Sequence, residues 1–237
     1  MKIENLKVKL FADGADRQGM RDMLKKPYIK GFTTNPTLMR KAGIQDYEGF
    51  AREILKDIKE HPISFEVFSD DFAEMAKQAE KIKSWGDNVY VKVPITNTQG
   101  NPSYDLIRDL TRKGVKLNVT AVFTLEQVRE TVAALADGAP AVISIFAGRI
   151  ADTGVDPMPI MRNARDIIGK NKTIELLWAS PRELLNIIQA DECGTDIITA
   201  TNDILEKLKF LEKNLGEFSK ETVQMFYNDA QKAGYKL

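Results

Sequence analysis

The sequence predicts an α/β fold, a single (β/α)8 TIM barrel with a C-terminal helical extension, and three observations lead there. Short apolar or β-branched runs alternate with longer amphipathic stretches along the whole chain. Eight such runs can be counted, whereas an open parallel sheet more often stops at about five or six strands. No Ser/Gly-rich linker, low-complexity tract or charge block divides the 237 residues, and a barrel of this kind takes roughly 250.

The eight candidate strands are Leu6–Asp13, Tyr28–Thr34, Ile63–Phe68, Asn88–Pro94, Lys116–Val122, Ala141–Phe146, Thr173–Trp178 and Asp196–Ala200. Helical periodicity marks Asp71–Trp85, Tyr104–Lys113, Leu125–Ala136, Pro159–Gly169 and Pro181–Gln189 between them. Strands separated by helices imply right-handed crossovers and parallel pairing. The final stretch, Asn202–Ala233, reads as one or two helices broken near Gly216. Residues from about 202 to 237 are therefore expected as an extension of one barrel domain rather than a second domain.

Bulk properties narrow the function. An apolar fraction of 43% and a charged fraction of 29% suit an ordinary globular protein. The 34 basic and 34 acidic residues balance, so no global field favours nucleic acid or an anionic membrane. Local cationic sites for small phosphorylated ligands stay open. A single cysteine, Cys193, excludes an intrachain disulfide framework and suits a reducing compartment. With one histidine, His61, it also argues against a zinc site, which wants three or four such ligands. The N-terminal residues carry no apolar core of a signal peptide, and nowhere do about 18 apolar residues run together. A cytoplasmic protein without a membrane partner is expected.

The informative residues are polar ones interrupting apolar strands, because inward positions near strand carboxyl ends are where a barrel builds catalysis. In Asn88–Thr96, residues Val89, Val91, Val93 and Ile95 share one face, leaving Lys92 on the other with Tyr90 and Pro94. Burying an ammonium is costly, and an amine kept neutral by that cost can attack a carbonyl. The plainer alternative is a lysine snorkelling from an edge strand. Glu66, between Phe65 and Val67, can face Lys92 from the neighbouring strand and pass protons through a water, or can form a structural ion pair. Asp13 ends the first strand before Gly14, where it can also cap a helix. Asn35-Pro36 has the form of a helix start, which leaves the Asn35 amide free for a sugar hydroxyl. Thr120 shares a face with Asn118, and Ser144 points inward if Phe146 does. Arg149, after Ala147-Gly148 at the end of the sixth strand, is suited to a phosphate at the barrel mouth or to a surface salt bridge. No Walker loop or G-x-G-x-x-G is present.

Taken in order, these segments resemble the transaldolase family, in particular its short bacterial members and the fructose 6-phosphate aldolases. The resemblance rests on Phe11-Ala-Asp-Gly-Ala-Asp16, Gly31-Phe-Thr-Thr-Asn-Pro36, Val91-Lys-Val-Pro-Ile-Thr96, Asn118-Val-Thr-Ala-Val122 and Ser144-Ile-Phe-Ala-Gly-Arg-Ile150. Trp178-Ala-Ser-Pro-Arg182 is a looser match, with about two residues fewer before the following helix.

The resemblance implies a Schiff-base mechanism. Lys92 would attack the C2 carbonyl of a ketose phosphate, and the protonated imine would accept electrons as the C3–C4 bond breaks. Asp13 would take the C4 hydroxyl proton, while Glu66 and Thr120 would position a water. It implies substrate contacts from Thr34, Asn35, Ser144 and Phe146, and phosphate contacts from Arg149, with Ser180 and Arg182 as further candidates. No metal or cofactor is implied. Aldolase members tend to carry Gln in place of Glu66 and Tyr in place of Phe146, so this pair points to transaldolase over release of free dihydroxyacetone. A third reading is a barrel that binds sugar phosphates without reacting. Apolar residues of the C-terminal stretch, among them Leu215, Phe218, Val223 and Phe226, point to a homo-oligomer.

Overall fold

The computed structural model describes residues 2–236. After a short turn at Ile3–Asn5 come β1 (Lys9–Asp13), α1 (Arg17–Leu24), β2 (Ile29–Thr33), α2 (Pro36–Lys41), α3 (Tyr47–Ile54) and β3 (Ile63–Glu66). The chain continues through α4 (Phe72–Lys83), β4 (Val89–Pro94), α5 (Tyr104–Arg112), β5 (Leu117–Val122), α6 (Leu125–Leu135) and β6 (Ala141–Ile145). Next are α7 (Ala147–Ala151), α8 (Met158–Ile168), β7 (Ile174–Trp178), α9 (Leu185–Glu192) and β8 (Ile197–Thr201). It ends with α10 (Asn202–Leu205), a turn at Glu206–Phe210 and α11 (Leu215–Ala233). All strands pair in parallel, and β8 returns to β1, so the sheet closes into the expected eight-stranded barrel.

Two cores follow from the period-2 alternation of the strands. The larger lies between barrel and helices and includes Val89, Val91, Val93 and Ile95 of the fourth segment, all buried. The smaller fills the barrel itself: Phe11, Val142, Leu177, Ala179 and Ile197, with Tyr90 and Phe146 packed against them. Phe11 fits because β2 offers Gly31 opposite it. A Cβ at Gly31 would fall 2.4 Å from the Phe11 ring, so the aromatic plug and the missing side chain are one packing solution. Above this plug the inward residues turn polar, and the open mouth begins.

Several element ends differ from the sequence expectation, each because a side chain takes over a backbone group. β1 starts at Lys9 instead of Leu6, since the Lys7 and Val8 amides donate to the Asp191 carboxylate at 2.6 and 2.8 Å. β3 stops at Glu66 because the Phe68 and Ser69 amides donate to Gln78 Oε1. α9 begins at Leu185, four residues after Pro181, because Asn186 Oδ1 accepts from the Arg182 and Glu183 amides and holds them in a turn. α1 is capped by Asp16, which accepts from the Gly19 amide, so Asp13 has no capping role. The C-terminal break lies near Gly216 as expected, just ahead of Asn214, and Gly216 sits in the first turn of α11 and donates to the Asn214 side chain. α1, α3 and α7 are not among the expected helices. α7 spans 5 residues, too few to show a period, and α1 buries only Met20 and Met23. Asn35 and Pro36 start α2 as expected, with Asn35 Oδ1 accepting from the Leu38 amide at 3.0 Å.

Candidate active site

A cleft of about 580 Å³ opens at the carboxyl ends of the strands, where the polar layer sits on the barrel plug. Lys92 lies at its floor, only 7% exposed. Register places Glu66 of β3 and Asn118 of β5 beside it on the two neighbouring strands. The Lys92 amine lies 3.1 Å from Glu66 Oε2 and donates to the Thr34 carbonyl at 3.0 Å. A central strand thus holds an inward amine with two named partners, which disposes of the edge-strand alternative.

Asp13 reaches the same cleft from β1 and accepts from the Thr33 hydroxyl at 2.7 Å. Thr33 in turn contacts the Thr199 hydroxyl of β8. Burial in this apolar-floored site raises the Asp13 carboxyl above its ordinary value. The Lys92 charge and the Thr33 hydrogen bond oppose that rise, and Glu66 adds to it. A carboxylate with a raised pKa is a stronger proton acceptor, the property required of a general base.

On the far side, Asn118 ties two serines together: its Nδ2 donates to Ser64 Oγ at 3.0 Å, and Ser144 Oγ donates to its Oδ1 at 2.6 Å. Ser144 therefore turns its remaining acceptor capacity to the cleft. Thr120 is aimed there by a β-bulge: between Val119 and Val122 the pairing with β6 shifts, and Ala121 takes a left-handed φ of 59°. Its hydroxyl is buried without a protein partner among the described residues, which suits a water or a substrate oxygen. Such a strained backbone at a site is a form of pre-organisation.

The rim is cationic and aromatic. Phe146 lines the cleft against Phe123, with the Arg149 guanidinium 5.7 Å above its ring. No salt bridge to Arg149 is present among the described residues, so the surface-pair alternative is not what the structure shows. Ser180 and Arg182 also line the cleft, but Arg182 is engaged by both oxygens of the Asp152 carboxylate and donates to Ser180 Oγ at 3.0 Å. That pairing holds the Asp152 carboxyl below the usual range. Ser180 has a left-handed φ of 61°, and its carbonyl passes so close to Gly148 that a Cβ there would lie 1.6 Å away. Glycine at 148 is what allows the β6 and β7 loops to meet at the rim.

One expected contact is absent from the cleft. The Thr34 side chain is fully buried on the outer side, donating to the Ser64 carbonyl at 2.9 Å. Alternation explains it: if Thr33 points inward, Thr34 must point out, and Thr33 is the residue that lines the cleft. Thr34 serves through its carbonyl instead. Asn35 is at the cleft wall, with its carbonyl oxygen spent on the cap and its amide nitrogen left to donate. Thr33, Thr199 and Lys41 line the cleft although none of them is among the expected site residues. For Thr33 a signal is present, since it shares the strand parity of Gly31. Cys193 and His61 are structural: the thiol faces the Met158 carbonyl, and the imidazole packs edge-on to Phe32. Among the described residues no group of three or more His, Cys, Asp or Glu is arranged for a metal ion, and no helix is long and apolar enough to cross a membrane.

Comparison with known proteins adds an independent line. The family model described as Transaldolase/Fructose-6-phosphate aldolase matches residues 10–237. The chain is 34% identical over 205 residues to a protein named probable transaldolase from Dehalococcoides mccartyi, covering 85% of this chain and 90% of that one. A probable transaldolase from Nitrosopumilus maritimus is likewise 34% identical over 205 residues, covering 85% of this chain and 87% of the relative. Among solved structures, a 2,3-dimethylmalate lyase aligns with a TM-score of 0.59 at 15% identity, covering 98% of this chain and 86% of that one. A dihydrodipicolinate synthase from Rhodopseudomonas palustris aligns with a TM-score of 0.57 at 15% identity, covering 97% and 81%. Both structural likenesses speak to the barrel fold alone.

Proposed function

The chain belongs to the transaldolase/fructose-6-phosphate aldolase family, and we propose that it is a Schiff-base transaldolase that moves a dihydroxyacetone unit from a ketose phosphate to an aldose phosphate. The observation that carries this reading is the Lys92 amine, buried at the cleft floor beside the Glu66 carboxylate and the Thr34 carbonyl. Glu66 is placed to take the proton that Nζ must lose before it attacks C2 of fructose 6-phosphate or sedoheptulose 7-phosphate. Addition gives a carbinolamine, and loss of water gives the iminium. The unpartnered Thr120 hydroxyl and Glu66 hold that water. Asp13 then removes the C4 hydroxyl proton. The C3–C4 bond breaks, its electron pair moves to the iminium, and the aldose phosphate leaves. The resulting enamine adds to a second aldehyde, and hydrolysis of the imine returns free Lys92.

Asn35 and Ser144 hold hydroxyls of the three-carbon unit, and Arg149 the phosphate. Arg149→Leu is expected to raise KM for the phosphorylated ketose about 10- to 100-fold with a smaller change in kcat, the pattern of lost ground-state binding. Initial-rate kinetics check this, and an unchanged KM would move the phosphate to Arg182 or Lys41. Retention of the enamine is favoured by Phe146, which puts a phenyl ring with no donor at the cleft wall.

Two measurements test the reading. Borohydride added with fructose 6-phosphate should leave a reduced adduct on Lys92. No adduct, or one on another lysine, would overturn the mechanism. Incubation with fructose 6-phosphate alone should release little dihydroxyacetone until erythrose 4-phosphate is supplied. Steady release without an acceptor would make the protein an aldolase instead. A homo-oligomer is part of the same proposal, because α11 buries none of its residues while Val223, Phe226 and Tyr227 are each about 60% exposed. Sedimentation at micromolar concentration should give a multiple of 26.6 kDa, and a monomer would refute it. A cytoplasmic setting is proposed on the unpaired Cys193 thiol.

A further inference from the structure

β2 and β3 begin as a regular parallel ladder. The Phe32 amide donates to Pro62 O, and the Thr34 amide to Ser64 O. Continued by one step, that ladder would have the Glu66 amide donate to Thr34 O. It does not continue, because Asn35 and Pro36 turn the chain away into α2. In a strand, the amide and carbonyl of one residue point to the same side. Both backbone groups of Glu66 therefore face a strand that has left.

The vacancy is filled from outside the barrel. Tyr47, the first residue of α3, brings its phenol to the upper end of β3, where it accepts from the Glu66 amide at 2.8 Å and donates to the Glu66 carbonyl at 3.0 Å. Its ring is locked by Phe65, Phe68 and Trp85, with centroids 5.6 to 6.3 Å away. Burial pushes the phenol well above its ordinary pKa, so the hydroxyl keeps the proton it donates. With the Glu66 amide satisfied by this hydroxyl, the Thr34 carbonyl is left to the Lys92 amine.

We infer that Tyr47 is a positioning residue for the Lys92–Glu66 pair, its hydroxyl standing in for the missing strand so that the Thr34 carbonyl holds the amine and the Glu66 carboxylate stays beside it. This rests on the Schiff-base reading above. It adds a role for a tyrosine that lies outside the barrel wall and does not line the cleft.

Without the hydroxyl, the Glu66 amide and carbonyl lose their partners, and the cheapest repair is for the amide to reach back to Thr34 O. That movement draws Glu66 away from Lys92 and competes for the carbonyl that holds the amine. Misplacement of this order lowers the rate of a reaction more than the binding of its substrate.

The test is the rate of borohydride-trapped adduct formation with fructose 6-phosphate in wild type, Tyr47→Phe and Trp85→Phe. The first variant removes only the hydroxyl. The second disturbs the same aromatic packing and spares the hydroxyl. Tyr47→Phe should trap at Lys92 about 10- to 100-fold more slowly, with half-saturating sugar within about twofold of wild type. Trp85→Phe should trap within about threefold of wild type. Equal trapping by Tyr47→Phe and wild type would overturn the inference, as would equal slowing by Trp85→Phe. Loss of folding in Tyr47→Phe alone would also overturn it, by making the hydroxyl a structural element only. Failure of wild type to trap at Lys92 is a separate result, and it strikes the function itself.

Discussion

Lys92→Met is expected to fold, to form no borohydride-reducible adduct, and to lose turnover by about 10⁴-fold or more, because the buried amine that supplies the electron sink is gone. Methionine has similar length and no charge, so the valine-rich outer face of β4 and the Tyr90 packing below it are untouched. What changes is electrostatic. Glu66 loses its ion-pair partner, and Asp13 loses the positive charge that holds its carboxyl down, so Asp13 moves further above its ordinary value. The residual rate and the mass of the tryptic peptide carrying residue 92 give the readout. A variant that still turns over at more than about one hundredth of the wild-type rate would exclude Lys92 as the nucleophile.

Asp13→Asn separates cleavage from imine formation. The asparagine keeps an oxygen for the Thr33 hydroxyl and loses the basicity, so cleavage should slow by about 10²- to 10⁴-fold while Lys92 still forms its imine. The trapped adduct then changes identity: wild type should carry the three-carbon unit, and the variant the intact ketose phosphate. A three-carbon adduct formed at the wild-type rate would remove Asp13 from the mechanism.

The same substitution carries a signature in stability. The Asp13 carboxyl titrates higher in the folded protein than its ordinary value of 3.8. Between those two values the folded state binds the extra proton, so the stability Asp13 contributes is full below the unfolded value and is lost as pH rises through the folded one. Asparagine has no proton to lose. Asp13→Asn should therefore melt above wild type at neutral pH, by roughly 2–4 °C for each kcal/mol of relieved cost. The difference should vanish as pH is lowered toward 3.8. Thermal melts across that range check it, and a variant that melts lower at neutral pH would contradict the burial argument. A group that costs stability where it is needed for proton transfer is the expected signature of function.

All eight strands are legible in the order of residues, because each is a short apolar run whose period of two is a local property. The barrel follows from their count and alternation, and Lys92, Glu66, Thr120 and Ser144 stand out as polar residues of inward parity. Parity also holds the answer for Thr33 and Thr34. The resemblance points at the second, while the alternation of β2 turns the first into the cleft and the second out of it. Arg182 can be placed near the rim, yet nothing in the chain order shows that Asp152, thirty positions earlier, occupies its guanidinium.

The amino-acid order alone thus specifies the eight strands, the side of each strand that faces inward, and the inward amine of Lys92. How hydrogen-bonding groups from separate segments are shared out is fixed only by tertiary packing. The phenol of Tyr47 can replace a missing strand at Glu66 only once α3 has packed over β3, and the Thr34 carbonyl meets Lys92 only once β2 and β4 share one barrel. Periodicity is local and survives in the order of residues. The assignment of one carbonyl among competing donors is settled by distances between residues far apart in the chain, and those distances exist only after the barrel closes.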